Sequence, residues 1–250
     1  MYVTAVVLAA GKGLRMQPKM PKPRHPEVIR RRVASFGISK PLIKINSKPL
    51  IIYSLNTLGK HPYIKDIIVV ANPRNLQDLR KTIKQFRIDK IKDVVLGGEV
   101  RRASVANGLR AIDNHTDLVL IHDGVRPFID KEMVSSVIKT AKSCGAAIVG
   151  VPVKATVKSV KVSKSQSLKG NIVDRTLDRS KLWEIQTPQV FRKDLILKAY
   201  DKFGDIDVTD DAMLVEKLGA KVSVVKGSYN NIKITTPEDL IIAQAIAKAL

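Results

Sequence analysis

Short, nearly continuous apolar runs alternate along the chain with segments of helical period. The runs Val3–Leu8, Ile67–Ala71, Val94–Leu96, Leu118–His122, Ala146–Val151 and Val222–Val225 are rich in Val and Ile. A strand with one wet face alternates apolar and polar residues, so runs of this kind predict strands buried on both faces. Between them the spacing predicts helices near Pro49–Lys60, Asn75–Arg87, Arg101–Asp113, Lys131–Ser143, Asp210–Leu218 and Pro237–Ala249. Start signals support three of these: Asp130 before Lys131, Thr209 before Asp210, and Thr236 before Pro237. Proline suits a first helical turn because the N–H it lacks has no intrahelical partner there. The alternation predicts one doubly wound α/β domain over residues 1–250, with a mostly parallel sheet. Ligands of such folds bind at the carboxyl ends of the strands.

Two segments depart from the rhythm. An insertion at about 17–39 contains Pro18–Ser39, with four prolines, six Lys or Arg and a single acid, Glu27. It reads as an extended basic loop. It has two readings: a lid that closes over a polyphosphate, or a surface insertion, which long loops allow at small entropic cost. The second segment spans about 153–186. There the β-prone runs Thr156–Val162 and Asn171–Thr176 flank the polar tip Ser163–Gly170, which predicts a β-ribbon projecting from the sheet.

Composition narrows the function classes. The chain has 250 residues, 44% of them hydrophobic, and so buries a full core without disulfides. Its one cysteine, Cys144, excludes an internal disulfide framework and a Cys-based zinc cluster; a small core residue is expected there. No apolar stretch reaches the length of a membrane span, and the N-terminal residues enter a strand pattern at once, so a cytoplasmic protein is expected. Lys and Arg number 44 against 23 acids, a formal charge of +21 that attracts polyphosphates, anionic membranes or nucleic acid. Aromatic residues make up only 4% and no nucleic-acid-binding module is recognisable, so specific nucleic-acid binding is disfavoured.

Four motifs carry candidate chemistry. The loop Ala9-Ala10-Gly11-Lys12-Gly13-Leu14-Arg15-Met16 follows directly on a buried strand. Its glycines let backbone N–H groups approach phosphate oxygens, and Lys12 and Arg15 add positive charge. It matches neither the Walker loop nor the dinucleotide fingerprint. Gly97-Gly98-Glu99-Val100-Arg101-Arg102-Ala103-Ser104 ends a strand and opens a helix, forming a second corner. In Ile121-His122-Asp123-Gly124-Val125-Arg126-Pro127-Phe128 a carboxylate stands at a strand end, where Mg²⁺ is commonly held by one or two carboxylates plus water and phosphate oxygens. Lys233, in Tyr229-Asn230-Asn231-Ile232-Lys233-Ile234-Thr235, can neutralise a phosphoryl group. Each motif alone also fits an ordinary turn, cap or surface lysine.

Taken in order, these motifs resemble the cytidylyltransferases that act on methylerythritol phosphate, a family of Rossmann-like nucleotidyltransferases related to the glycosyltransferase-A fold. The likeness extends through Thr176-Leu177-Asp178-Arg179, Leu182-Trp183, Gln186-Thr187-Pro188-Gln189, Thr209-Asp210-Asp211-Ala212 and Thr236-Pro237-Glu238-Asp239-Leu240. It implies transfer of CMP from CTP to a polyol phosphate with Mg²⁺ as cofactor and release of pyrophosphate, the acceptor being methylerythritol phosphate or, in a related group, ribitol 5-phosphate. By the match, Arg15, Lys40 and Lys233 are the catalytic cations and Asp123 the metal ligand. Ala9, Ala10, Gly11, Gly13, Gly98, Glu99 and Ser104 line the nucleotide pocket. Arg126, Thr156, Arg179 and Thr187 bind the acceptor phosphate or brace the residues around it, and the ribbon implies a homodimer. The chain departs from the family pattern in its long Met16-to-Lys40 link, in Ala155 and Asn230, where acidic residues are frequent, and in Glu99 for a frequent Asp.

Overall fold

The computed structural model describes residues 1–11, 39–163 and 170–249. In chain order the first half contains β1 (Val3–Leu8), β2 (Lys44–Ile45), β3 (Lys48–Pro49), α1 (Leu50–Gly59), β4 (Ile64–Ala71), α2 (Leu76–Gln85), β5 (Ile91–Leu96), α3 (Arg101–Arg110) and β6 (Leu118–Asp123). The second half adds α4 (Lys131–Cys144), β7 (Ala146–Pro152), β8 (Lys158–Ser163), β9 (Gly170–Thr176), β10 (Trp183–Arg192), α5 (Lys193–Phe203), α6 (Ala212–Lys217), β11 (Ser223–Lys226) and α7 (Pro237–Ala249). Seven strands form one sheet in the order β11-β7-β10-β6-β1-β4-β5, with β10 alone running antiparallel to its neighbours.

In the central strands the continuous apolar runs are explained by burial on both faces; the runs Val94–Leu96 and Val222–Val225 fall instead at the two edges of the sheet, where Leu96 and Val224 are exposed. Along β1, Val3, Ala5 and Val7 enter one core cluster, while Val6 and Leu8 enter another on the opposite face. Leu118 and Leu120 of β6 join the first cluster, Val119 and Ile121 the second. Each such side chain contributes about 1.5–3 kcal/mol through burial. Thr4, the polar residue inside β1, is fully buried and exchanges a 2.8 Å hydrogen bond with the hydroxyl of Thr116.

Helix starts follow their caps. Asp130 Oδ1 accepts from Met133 N at 2.7 Å at the head of α4, and Gly145 closes that helix with φ 90°, a left-handed conformation that glycine adopts without strain. The helix expected from Asp210 begins at Ala212 instead, with Asp211 at its N-cap and the preceding Asp210 side chain accepting from Met213 N. Asp239 Oδ2 accepts from both Thr235 N and Thr236 N at the start of α7.

Three features differ from the sequence reading. The ribbon is present, with β8 antiparallel to β9, but residues 183–186 belong to the main sheet as the start of β10. Helix α5 also falls between the anticipated elements. Cys144 is exposed, not a core residue. No described helix is long and apolar enough to cross a membrane.

Candidate active site

Parallel register brings the motifs to one edge. Leu8 of β1 pairs with Asp123 of β6 on one side and Val70 of β4 on the other, and Ala71 pairs with Leu96 of β5. The chain therefore leaves all four strands at the same end, above a cavity of about 350 Å³. Of the residues expected here from sequence, Ala9, Ala10, Gly11, Lys40, Gly98, Glu99, Ser104, Asp123 and Lys233 line that cavity. Gly13 and Arg15 lie outside the described residues, as does almost all of the basic insertion.

The glycine loop is braced from beneath. Ala9 N donates to Val70 O at 2.7 Å, Asn75 Nδ2 donates to Ala9 O at 2.9 Å, and Asn72 Nδ2 donates to Ala10 O at 3.3 Å. Asn75 Nδ2 also donates to Ser39 Oγ at 2.6 Å, tying the point where the chain re-enters the described structure to the loop it left. Sequence reading missed both asparagines, since their partners are backbone oxygens distant in the chain. Immediately after Ser39, Lys40 heads a short turn of 3₁₀ helix, and its Nζ donates to Thr235 O at 2.8 Å.

The second corner is packed too tightly for side chains. A Cβ on Gly97 would stand 2.7 Å from both Ala10 Cβ and Ser104 Oγ. Ser104 is almost fully buried; its Oγ accepts from Gly98 N at 3.2 Å and lies within donating distance of Val100 O. It staples the corner, while the exposed Glu99 projects at the rim.

Asp123 sits at the centre. Its carboxylate is nearly buried and faces Lys233 Nζ at 2.7 Å from Oδ2, Arg101 Nε at 3.3 Å from Oδ1, and Arg126 Nε at 4.0 Å from Oδ2. Burial alone would raise its pKa, but Arg101, Lys233 and Arg126 outweigh burial and hold the carboxyl well below the usual carboxylate range. The backbone that carries it is fixed by Thr187, whose Oγ1 accepts from Asp123 N at 3.0 Å. That hydroxyl also lies 3.0 Å from His122 Nδ1. His122 Nε2 donates to Arg126 O, and burial holds the ring's pKa down at about 4, so it is neutral with Nδ1 as acceptor and Thr187 as the donor. Thr187 thus braces the strand end from below and does not line the cavity. Arg126 is buried as well, donating from Nη1 to Asn231 O at 2.8 Å. Its Nε has no hydrogen-bond partner among the described residues.

Lys233 arrives on a loop held by Ile234 N donating to Val125 O at 2.9 Å, with Ile234 fully buried. Thr156 and Arg179 are not in the cavity. Both are exposed at the root of the ribbon, where Arg179 Nη1 donates to Lys154 O at 2.8 Å. Asn230 is exposed and outside the cavity lining. Arg101, given no role from sequence, proves central: besides Asp123 it reaches Asp211 Oδ2 at 2.9 Å through Nη2. Only tertiary structure joins Arg101 to Asp211, so spacing carried no signal of it.

A strand-edge cavity with glycine corners, a buried carboxylate and several cations suits a nucleotide's phosphates. A family model described as 2-C-methyl-D-erythritol 4-phosphate cytidylyltransferase matches residues 30–249. The chain belongs to this cytidylyltransferase family. The relative of that name from Alkaliphilus metalliredigens is 42% identical over 247 residues, covering 98% of this chain and 92% of its own length. The one from Caldanaerobacter subterraneus is 40% identical and covers 98% of both chains. Among solved structures, 4-diphosphocytidyl-2C-methyl-D-erythritol synthase from Anaerococcus prevotii superposes with a TM-score of 0.79 at 32% identity, covering 99% of this chain and 96% of that one. A cytidylyltransferase of the family from Thermus thermophilus gives 0.69 at 27%, covering 99% and 100%. These cytidylyltransferases favour methylerythritol phosphate over the ribitol phosphate and nucleic-acid readings.

Proposed function

We propose that this cavity transfers CMP from CTP to 2-C-methyl-D-erythritol 4-phosphate. An acceptor phosphate oxygen forms a bond to the α-phosphorus of CTP while the bond to the bridging oxygen of the β-phosphate breaks, and pyrophosphate leaves. Such a reaction demands alignment and charge neutralisation more than proton transfer. The observation that carries the reading is the placement of Lys40, Lys233 and Asp123 around one cavity beside both glycine corners.

The nucleotide is held by the backbone of Ala9, Ala10 and Gly11 and by the corner Gly98, Glu99 and Ser104, whose closeness to the sheet admits phosphate oxygens to N–H groups. Lys40 and Lys233 neutralise charge at the α-phosphate, together with Arg15. Arg126, whose Nε has no hydrogen-bond partner among the described residues, attracts the acceptor phosphate. Thr187 supports the acceptor corner by fixing Asp123 and His122, and Thr156 and Arg179 act from the ribbon root.

Asp123 fits Mg²⁺: it is a hard oxygen donor at the cavity wall, ionised throughout the physiological range. Asp123 would hold the ion, which when bound supplies positive charge to the phosphate oxygens. We also propose that the enzyme is cytoplasmic, in keeping with an unpaired exposed Cys144. A homodimer through the ribbon is supported by its exposed apolar side chains: Val160, Val162, Ile172 and Val173 are 43–75% exposed.

Incubation with CTP, Mg²⁺ and 2-C-methyl-D-erythritol 4-phosphate is expected to release pyrophosphate, and ribitol 5-phosphate to react far more slowly. No release with the first acceptor, or equal rates with both, overturns the proposal.

A further inference from the structure

Two of the cations that contact Asp123 differ in how they are held. Lys233 is a flexible side chain, 37% exposed, reaching Oδ2 by a single hydrogen bond among the described residues. Arg101 is gripped from both sides. Its Nε meets Asp123 Oδ1, and its Nη2 donates to Asp211 Oδ2, a carboxylate only 1% exposed. The other oxygen of Asp211 accepts from Tyr200 OH at 2.5 Å. Tyr200 in turn packs against the second core cluster, which contains Ile196, Ala212 and Val215. The chain of contacts thus runs from the cavity through α3 and the cap of α6 to a core-packed ring on α5. Arg101 cannot follow a ligand without abandoning a buried carboxylate, and an uncompensated buried carboxylate costs several kcal/mol.

We infer that Arg101, anchored by Asp211 and Tyr200, is a positioning residue that keeps Asp123 Oδ1 and leaves Oδ2 as the exchangeable oxygen. Lys233 Nζ donates to Oδ2 at 2.7 Å. When nucleotide enters, its phosphates draw Lys233 away, and Oδ2 is offered to the divalent cation with its direction already set. Lys233 therefore competes with the metal in the free enzyme and ceases to do so once CTP is bound, whereas Arg101 aligns the carboxylate in both states. This rests on the reading of Asp123 as the carboxylate that holds the metal.

Mn²⁺ titrated into the full chain and followed by electron paramagnetic resonance, with and without CTP, tests the inference. Without nucleotide, Lys233→Ala is expected to tighten Mn²⁺ binding about fivefold by removing the cation hydrogen-bonded to Oδ2, with Arg126 Nε remaining 4.0 Å away, and with CTP that gain is expected to disappear. Asp211→Asn and Arg101→Lys are expected to weaken Mn²⁺ binding with CTP about tenfold or more, as loss of an orienting partner does at metal sites. Tyr200→Phe keeps the ring and its packing, removes one hydrogen bond to Asp211, and is expected to weaken binding about fivefold. It supplies the answer should Asp211→Asn fail to fold by circular dichroism. Unchanged Mn²⁺ binding in Tyr200→Phe and Arg101→Lys, or unchanged or weaker nucleotide-free binding in Lys233→Ala, overturns the inference. Asp123→Asn, shown to be folded by circular dichroism, separates it from its premise: loss of Mn²⁺ binding by the folded variant upholds the metal reading, and retention overturns that reading and the inference together.

Discussion

The ammonium of Lys233 stands 2.7 Å from the carboxylate of Asp123, although 110 positions separate the two in the chain. Both residues line the cavity, and in the proposed reaction Lys233 is the cation that meets charge developing on the transferring phosphoryl group. Lys233→Ala is therefore expected to lower kcat by roughly 10²–10³ with a smaller change in the KM for CTP, as when a single oriented charge donor is removed from a transition state. Steady-state kinetics check this, and a change confined to KM would show that Lys233 only binds nucleotide.

Asp123→Asn carries a structural cost besides its catalytic one. The wild-type carboxylate offsets Arg101 and Arg126, and its amide replacement leaves Arg126 without its nearest counter-charge and Arg101 with Asp211 alone. A loss of about 3–5 kcal/mol in unfolding free energy is expected from urea denaturation. A loss below about 1 kcal/mol would mean that solvent already screens these cations.

At the second corner, Gly97→Ala is expected to destabilise the fold by about 1–3 kcal/mol, because the added methyl must displace Ala10, Ser104 and Val70 together. The same displacement moves the nucleotide loop, so the KM for CTP is expected to rise. Thermal denaturation and kinetics measured on one preparation decide whether the two effects appear together.

The ribbon predicts an assembly. Val160 pairs directly with Val173 across β8 and β9, and both are at least half exposed, as is Val162 at 75%. Val162→Asp is expected to shift sedimentation from dimer toward monomer without altering the melting of the central sheet. A wild-type chain that sediments as a monomer would remove the basis for this expectation.

His61 gives a pH dependence remote from the active site. It is 1% exposed, its Nδ1 accepts from Tyr63 N, and its Nε2 lies 2.9 Å from Ser135 Oγ. Burial lowers its pKa, partly offset by a hydrogen bond with the backbone of Lys131, so the unfolded chain takes up the proton first as pH falls. The contribution to stability is complete above the ordinary histidine pKa of about 6.5 and declines below it. His61→Gln is expected to lose less stability than wild type between pH 8 and pH 5.5 in urea titrations, and equal losses would exclude His61 as the source.

The central parallel strands were legible because burial on both faces leaves a continuous apolar run, and most helices were legible through their period and start signals. β10 was not. It lies between β6 and β7, yet Gln186, Thr187, Pro188 and Gln189 interrupt its apolar pattern. These polar residues tolerate burial because they are paired: Gln186 Nε2 donates to Ser228 O, Thr187 meets His122, and Gln189 Nε2 donates to Asp210 Oδ2. Proline fits inside the strand because the pairing with β7 shifts between Gln186 and Gln189, where the ladder needs no N–H from it. The candidate site was legible through its motifs, and the family likeness assigned roles to Lys40, Asp123 and Lys233. The supports were not: Asn72, Asn75 and Asp211 act through partners that spacing in the sequence does not disclose.

The insertion of β10 between β6 and β7 also constrains how the chain is assembled. β6 and β7 are neighbours in sequence but never pair with each other, and the strand that joins them ends at Arg192 of a 250-residue chain. During synthesis the first four parallel strands can associate early, while β7 has no partner until the ribbon has been made and the chain has returned. The sheet therefore closes only once β10 has been made and has paired with both β6 and β7. Until then the inner edges of β6 and β7 remain open to pairing with other chains, which makes this nascent half-sheet the stage most in need of protection from aggregation.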